Sequence, residues 1–310
     1  MHQNSQLKID KIVDLVVRWY GKSGRDLPWR KSKDPYSILV SEVMLQQTQV
    51  DRVVPKFLQF LKQFPNLESL AEAPVATVIR LWEGLGFNRR AIRLKKIAEI
   101  LVRENYAEIP ENPNELRLLP GIGSYTSNAI ACFAYGKSVS LADTNIYRIL
   151  SRVSYGIKPT TRAEIDKLID SSLPFDSPSD FYQGLMDIGA LYCKSSSPEC
   201  SNCVLISKCK AGPEFLEAKS LNPQSSVPYY PKQKRFKGSK RYYRGLIIKQ
   251  LTKLGPEEQI GISDLKERIA PELMDYTEDW FLSIIKELND EGLLVVEEGT
   301  YSRRVALPLT

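Results

Sequence analysis

Four thiols stand close together near residue 200, as Cys193-x6-Cys200-x2-Cys203-x5-Cys209. Zinc ribbons draw on two separated Cys-x2-Cys knuckles, and this run has one. A disulfide framework does not suit a chain whose first residues lack a signal peptide's charged start and apolar stretch. The uneven spacing suits a cubane 4Fe-4S cluster, which accepts thiolates from a single winding loop; zinc is the alternative. Lys194, Lys208 and Lys210 make the loop basic. The fifth cysteine, Cys132, sits in the apolar run AIACFAY and reads as a packing residue.

Two carboxylates invite acid–base chemistry. Glu42 lies between Leu39-Val40 and Met44-Leu45 on an apolar helix, where desolvation would raise its pKa; the plainer alternative is a salt bridge to Arg25 or Arg30. Asp143 follows the run Val139 to Ala142 and precedes a helical pattern, as a cap or as a carboxylate beside a ligand. The single histidine is His2, so histidine dyads and His-rich metal sites are excluded. Proton transfer falls to carboxylate, Tyr, Lys or Cys.

A third candidate is Leu119-Pro-Gly-Ile-Gly123, between two helix-like segments. Gly121 and Gly123 permit positive φ and leave backbone N–H groups bare, so the following helix offers an anion site that a duplex phosphate would fit. The net charge of +6 favours an anionic partner.

These groups need a helical scaffold. Helical periodicity covers about 7–20, 35–49, 52–63, 67–73, 75–83, 89–104, 113–118, 124–135, 143–154, 162–172 and 178–192, so the first two-thirds reads as all-α. Residues 212–240 read as a linker, ending in a basic run with interleaved aromatics that is either solvated or set against nucleic acid. Beyond it, helices over 243–254, 262–270 and 277–291 precede strands over 293–297 and 301–307, as in a small winged-helix-like α+β domain. The third of these helices is acidic, which suits packing or a protein partner at least as well as a DNA groove. The expected division is a core over 1–211 with its cluster loop at 193–209, a linker over 212–240 and the second domain over 241–310. No apolar run is long enough for a membrane span, and the expected setting is cytoplasmic, at the nucleoid.

The hairpin, the aspartate about twenty residues beyond it and the cysteine spacing together resemble the endonuclease III/MutY superfamily of DNA glycosylases, the helix-hairpin-helix (HhH-GPD) group. The likeness extends through Leu27-Pro-Trp-Arg30, Asp34-Pro-Tyr36, Ser41-Glu-Val-Met-Leu-Gln-Gln-Thr-Gln-Val50, Leu81-Trp-Glu-Gly-Leu-Gly86 and Gly189-Ala-Leu-Tyr-Cys193. It is similar to the MutY branch of adenine glycosylases over residues 7–210. The resemblance implies a helix-hairpin-helix core, a four-iron cluster on the four cysteines, and base excision from a mispair or lesion in double-stranded DNA by a monomer. It implies adenine opposite 8-oxoguanine or guanine as the substrate. Rival readings are thymine or uracil opposite guanine, and a non-catalytic DNA-structure binder. The binder reading sits poorly with retention of both carboxylates.

The same resemblance assigns roles. Glu42 is the acid that protonates the departing base, and Asp143 the ionised carboxylate that steadies the sugar cation. Gln47, Thr48, Phe87, Gly121, Gly123 and Asn145 fall at DNA-contacting positions, with Phe87 where the branch usually has an intercalating Tyr. Arg25, Trp29 and Asp187 fall around the base pocket. Two departures stand out: Phe87-Asn88 replaces Tyr-Tyr, and the winged-helix-like pattern replaces a Nudix-like domain. Tyr125 occupies the position of the Schiff-base lysine of the endonuclease III branch, and a phenol forms no imine. Hydrolysis without efficient strand cleavage is therefore expected. Tyr125→Lys should gain lyase activity measurable by borohydride trapping, and an empty trap would refute that placement.

Overall fold

A computed structural model describes residues 3–106, 108–172, 176–217, 222–223, 235–272, 276–298 and 303–309. His2 and part of the basic run, 232–234, lie outside them. The first helices are α1 (Gln3–Ser23), α2 (Pro35–Leu45), α3 (Val50–Gln63), α4 (Leu67–Ala71), α5 (Val75–Trp82), α6 (Arg89–Arg103), α7 (Pro113–Leu116) and α8 (Ser124–Tyr135). There follow α9 (Thr144–Tyr155), α10 (Arg162–Asp170), α11 (Pro178–Leu191), α12 (Ala211–Glu217), α13 (Lys240–Leu251), α14 (Ile262–Ile269) and α15 (Glu278–Asp290). Strands β1 (Ile260–Gly261), β2 (Val295–Glu298) and β3 (Arg303–Ala306) complete the order. None of the described helices is long and apolar enough to cross a membrane.

The chain alternates between two compact units. One holds Met1–Lys33, Glu111–Asn114 and Ile122–Pro231; the other holds Asp34–Pro110, Glu115–Gly121 and Lys232–Thr310. In the first unit, Ile12, Val16, Ala129, Cys132, Ile149, Tyr182 and Leu185 belong to one apolar cluster. Cys132 is fully buried there, as its apolar run implied. Gly184 lets α11 approach α1, since an added Cβ would lie 2.6 Å from Val16 Cγ1. The Tyr20 hydroxyl donates to Gln183 Oε1 at 2.6 Å across the same seam.

An ionic lock fastens the loop after α1 to α11. Asp187 is fully buried. Its carboxylate accepts from Arg25 N and Nε at 2.8 and 2.6 Å, and from Arg30 Nη1 and Nη2 at 2.7 and 2.9 Å. The single turn Pro28–Arg30, with Trp29 buried, is pinned between these arginines.

In the second unit, α2 starts where Asp34 accepts from Tyr36 N and Ser37 N, with proline at the first helical position. Every residue from Tyr36 to Met44 is buried, so α2 is a central rod. It stops at Leu45, short of the expected 49, because Gln47 turns to φ 56°. Residues 240–309 supply a winged-helix-like order, α13-β1-α14-α15-β2-β3, with the sheet ordered β1-β3-β2 and antiparallel. Strand β1, only two residues long, pairs Ile260 with Val305 and had no sequence signal.

This segment shares a core with α5. Ala76 and Ile79 join Ile247, Leu251, Phe281 and Ile285 in one apolar cluster. Ala76 N donates to the Pro308 carbonyl at 2.8 Å, and Arg80 Nη2 to those of Leu254 and Gly255 at 3.0 and 3.1 Å.

Two expectations change here. Residues 211–217, mostly assigned to the linker, form α12. The acidic face of α15 is substantially neutralised within its own unit. Glu287 pairs with Lys240 and Arg244, Glu291 with Arg244 and, at 3.7 Å, Arg89, and Glu278 with Lys266 at 3.2 Å. Part of the basic run thus faces α15 rather than open solvent.

Burial alone would push the Asp187 carboxyl up, but the hydrogen bonds and charge of Arg30 and Arg25 hold it below the usual carboxylate range. A depressed folded pKa gives stability that is full above the ordinary aspartate range and drains away as pH falls through the folded value. Asp187→Asn should cost about 3–5 kcal/mol at neutral pH, because it strands two arginines. Its melting temperature should show less acid dependence than wild type; an unchanged melting curve would contradict the lock.

Candidate active site and cysteine loop

Asp143 sits at the cap of α9 and accepts from Ile146 N at 2.8 Å. Its other oxygen accepts from Asn145 Nδ2 at 2.8 Å. Asn145 Oδ1 accepts from Arg148 Nη2 at 2.7 Å, and Arg148 Nε donates to the Cys193 carbonyl at 2.6 Å. A continuous polar chain therefore runs from the candidate catalytic carboxylate to the first cysteine of the loop. Gly189, whose carbonyl also accepts from Arg148, makes room for it: a Cβ there would lie 2.7 Å from Asn145 Cβ. Burial pushes the Asp143 carboxyl above its ordinary range, while the Ile146 and Asn145 donors and then Arg148 pull it partly back. The cap reading and the catalytic reading of Asp143 use one geometry.

The four thiols surround a common space. Cys193, Cys200, Cys203 and Cys209 line one cavity together with Arg152, Leu205, Gly212 and others. Gly212 is needed there, since a Cβ would come within 2.5 Å of Ile206 Cδ1 and 3.6 Å of Cys209 Sγ. Arg152 is 1% exposed. It donates to Cys193 Sγ at 3.4 Å and to the carbonyls of Lys194, Ser195 and Pro223 at 2.7, 2.9 and 2.8 Å. Burial pushes Cys203 up to about 12 and Cys209 up to about 11. Thiols so placed ionise when a bound cation compensates their charge. Among the described residues, no group of three or more His, Cys, Asp or Glu is arranged to hold a metal ion.

The hairpin divides its glycines by function. Gly121 adopts φ 85°. Gly123 is extended and caps α8 with no side chain, in open space, leaving the helix start accessible to an anion. Tyr125, on the first turn of α8, is half-buried against the apolar cluster of the first unit.

Glu42 lies in the second unit and is 6% exposed on α2. Nearby, Arg90 gathers the end of α2 and the turn before α6. Its Nη1 donates to the carbonyls of Val43, Met44 and Gln46 at 2.9, 2.8 and 2.6 Å. Its Nη2 donates to Thr48 Oγ1 and to the carbonyls of Leu85 and Gly86 at 2.9, 3.2 and 2.9 Å, and Nε to Phe87 O at 3.4 Å. Thr48 Oγ1 in turn donates to Leu85 O at 3.1 Å. Gln47 and Phe87 both hold positive φ, 56° and 47°, a strained setting for side chains larger than glycine. Arg90 therefore ties Gln46 and Thr48, on either side of Gln47, to Phe87, residues that sequence alone could only name separately.

Sequence reasoning passed over Arg90, Arg148 and Arg152 as ordinary helix-surface charges. The available signal was spacing: Asn145, Arg148 and Arg152 share one face of α9, three and four residues apart.

Comparison with known proteins gives this arrangement a class. Residues 40–174 match the model of the HhH-GPD superfamily base excision DNA repair proteins. More narrowly, the chain is similar to adenine DNA glycosylases. It is 40% identical over 201 residues to an adenine DNA glycosylase of Buchnera aphidicola subsp. Baizongia pistaciae, covering 63% of this chain and 57% of that protein. It is 40% identical over 194 residues to that of Mycolicibacterium smegmatis (61% and 66%) and 35% over 253 residues to that of Schizosaccharomyces pombe (74% and 54%). The chain thus spans between 54% and 66% of the length of these curated relatives. Among solved structures, a thermostable thymine-DNA glycosylase matches at TM-score 0.60 and 27% identity, over 67% of this chain and 98% of that one. A non-covalent endonuclease III–DNA complex matches at TM-score 0.60 and 20% identity, over 69% and 99%, a likeness of fold.

Arg90→Met should destabilise the protein by about 3 kcal/mol, because it leaves buried carbonyls without donors. Denaturant melts would show this, and a loss below about 1 kcal/mol would mean that the carbonyls find other partners.

Proposed function

We propose that the chain is a monofunctional base-excision DNA glycosylase that hydrolyses the N-glycosidic bond of adenine mispaired with 8-oxoguanine or guanine in double-stranded DNA. The observation that carries this reading is the buried Asp143 carboxylate, fixed by Ile146 N and Asn145 beside the cysteine loop. The similarity to adenine DNA glycosylases supports the choice of base. Residues 1–211 form the catalytic core, and 241–310 a winged-helix-like domain.

Cleavage leaves positive charge on the sugar and negative charge on the base. Ionised Asp143 stabilises the sugar cation, with Asn145 and the Ile146 N–H keeping the carboxylate oriented. Glu42 donates a proton to the departing adenine ring from its largely buried place on α2. Gly121 and Gly123 present backbone to a phosphate, Phe87 fills the gap left by the flipped base, and Gln47 and Thr48 face the opposite strand. Arg25, Trp29 and Asp187 shape one wall of the base pocket. Tyr125 supplies no amine, which leaves water as the nucleophile.

The four cysteines would hold a 4Fe-4S cluster. The cavity that all four half-buried thiols line suits such a group. Such a cluster would supply a fixed frame for the basic loop.

The test is single-turnover excision on matched duplexes carrying A:8-oxoG, A:G, T:G or U:G, with alkaline cleavage of the abasic product. Release from A:8-oxoG and A:G is expected, and preference for T:G or U:G would replace the adenine assignment. Asp143→Asn should bind the mispair yet lose about 100- to 1,000-fold in rate. Since burial raises the Asp143 carboxyl, the acid limb of the wild-type rate should lie above the range of an exposed aspartate. An undiminished Asn variant would remove Asp143 from the chemistry.

A further inference from the structure

The turn that carries Phe87 is held from two sides, and one side is the winged-helix-like segment. Beneath it lies Arg90, immobilised by its carbonyl partners, with its guanidinium 5.6 Å from the Phe87 ring centroid. Against the same ring, at 5.1 Å, lies the guanidinium of Arg241, from the first turn of α13. A second ring, Phe236, meets Arg241 at 5.2 Å. Arg241 thus joins the faces of two aromatic side chains, one of them 53% exposed.

A cation in the first turn of a helix opposes the helix dipole. α13 nevertheless carries Lys240 and Arg241 there, with no acidic residue in that turn. Lys240 is matched by Glu287. Arg241 packs its guanidinium on two rings, whose faces attract a cation.

The shoulders of the turn are gripped as well. At the end of α5, Glu83 Oε2 accepts from Thr252 Oγ1 at 2.9 Å. At the start of α6, Arg89 pairs with Glu291 at 3.7 Å. Both helices flanking Gly84 to Phe87 are therefore fastened to residues beyond 240. Phe87 needs such support, because positive φ at a phenylalanine is not self-sustaining.

We propose that the winged-helix-like domain braces the Phe87 wedge, and that Arg241 is the positioning residue that holds the ring for insertion into the duplex. The proposal rests on the reading of Phe87 as the gap-filling ring. It gives the domain a role in DNA engagement through one arginine at a helix start, without asking acidic α15 to enter a groove.

The test separates insertion from catalysis by using full-length protein carrying Asp143→Asn, so that no base is released. A 2-aminopurine placed next to an A:G mispair fluoresces when unstacked, and its rise at saturating protein measures wedge insertion. Phe87→Ala should abolish most of the rise. Arg241→Gln, which keeps a similar stem without the charge, should at least halve it, and Arg241→Lys should retain more than the glutamine variant. Thermal melts check that each variant is folded. A full rise with folded Arg241→Gln, or equal losses for Lys and Gln, would overturn the brace. If Phe87→Ala leaves the rise intact, the wedge assignment and the brace fall together. Intact insertion without adenine release by the wild-type enzyme would sink only the adenine reading.

Discussion

A single buried guanidinium organises the second unit. Arg90 serves six carbonyls and one hydroxyl, so the end of α2 and the turn before α6 cannot shift independently. Desolvation lowers its pKa to about 10, still far enough above neutrality for it to stay charged. That charge is tolerable because carbonyl dipoles and the Trp82 ring, 5.3 Å away, surround it. Arg90 bonds Phe87 directly and the two neighbours of Gln47, residues holding or flanking strained left-handed backbone.

The first unit solves a different problem with the same side chain. Arg148 and Arg152 stand one turn apart on α9 and turn inward, toward the cysteine loop. Arg148 links the loop's backbone to the amide that orients Asp143, and burial lowers the guanidinium's own pKa. Order in a loop of little regular structure is thereby coupled to the orientation of a carboxylate more than forty residues earlier in the chain.

Much of this was legible in sequence because its causes are local. Helical periodicity located α3, α6, α8 and α11 to within a few residues, and the place of Asp143 ahead of a helical pattern marked it as a cap. The cysteine spacing predicted a shared centre, and the thiols do line one cavity. What escaped was decided at long range. Nothing local forbids Gln46 to Gln49 from extending α2; a distant arginine claims the carbonyls instead. The partners of the α15 glutamates, Lys240 and Arg244, could not be read from sequence because they lie more than forty residues away. Helix α12 was hidden by the Pro- and Ser-rich composition of the segment it opens.

The alternation of the chain between two compact units bears on how the protein is made. Helix α1 belongs to a unit whose other helices begin only at Ser124, and Tyr20 bonds to a glutamine 163 residues downstream. Emerging before them during synthesis, α1 must wait, with its apolar stripe unmatched, while much of the other unit is translated. Closing so wide a loop adds little entropy cost beyond that of a moderate one, but it delays the search and slows folding. The α1–α11 seam is thus a late event, sealed when the Asp187 carboxylate finally reaches the two arginines that have preceded it.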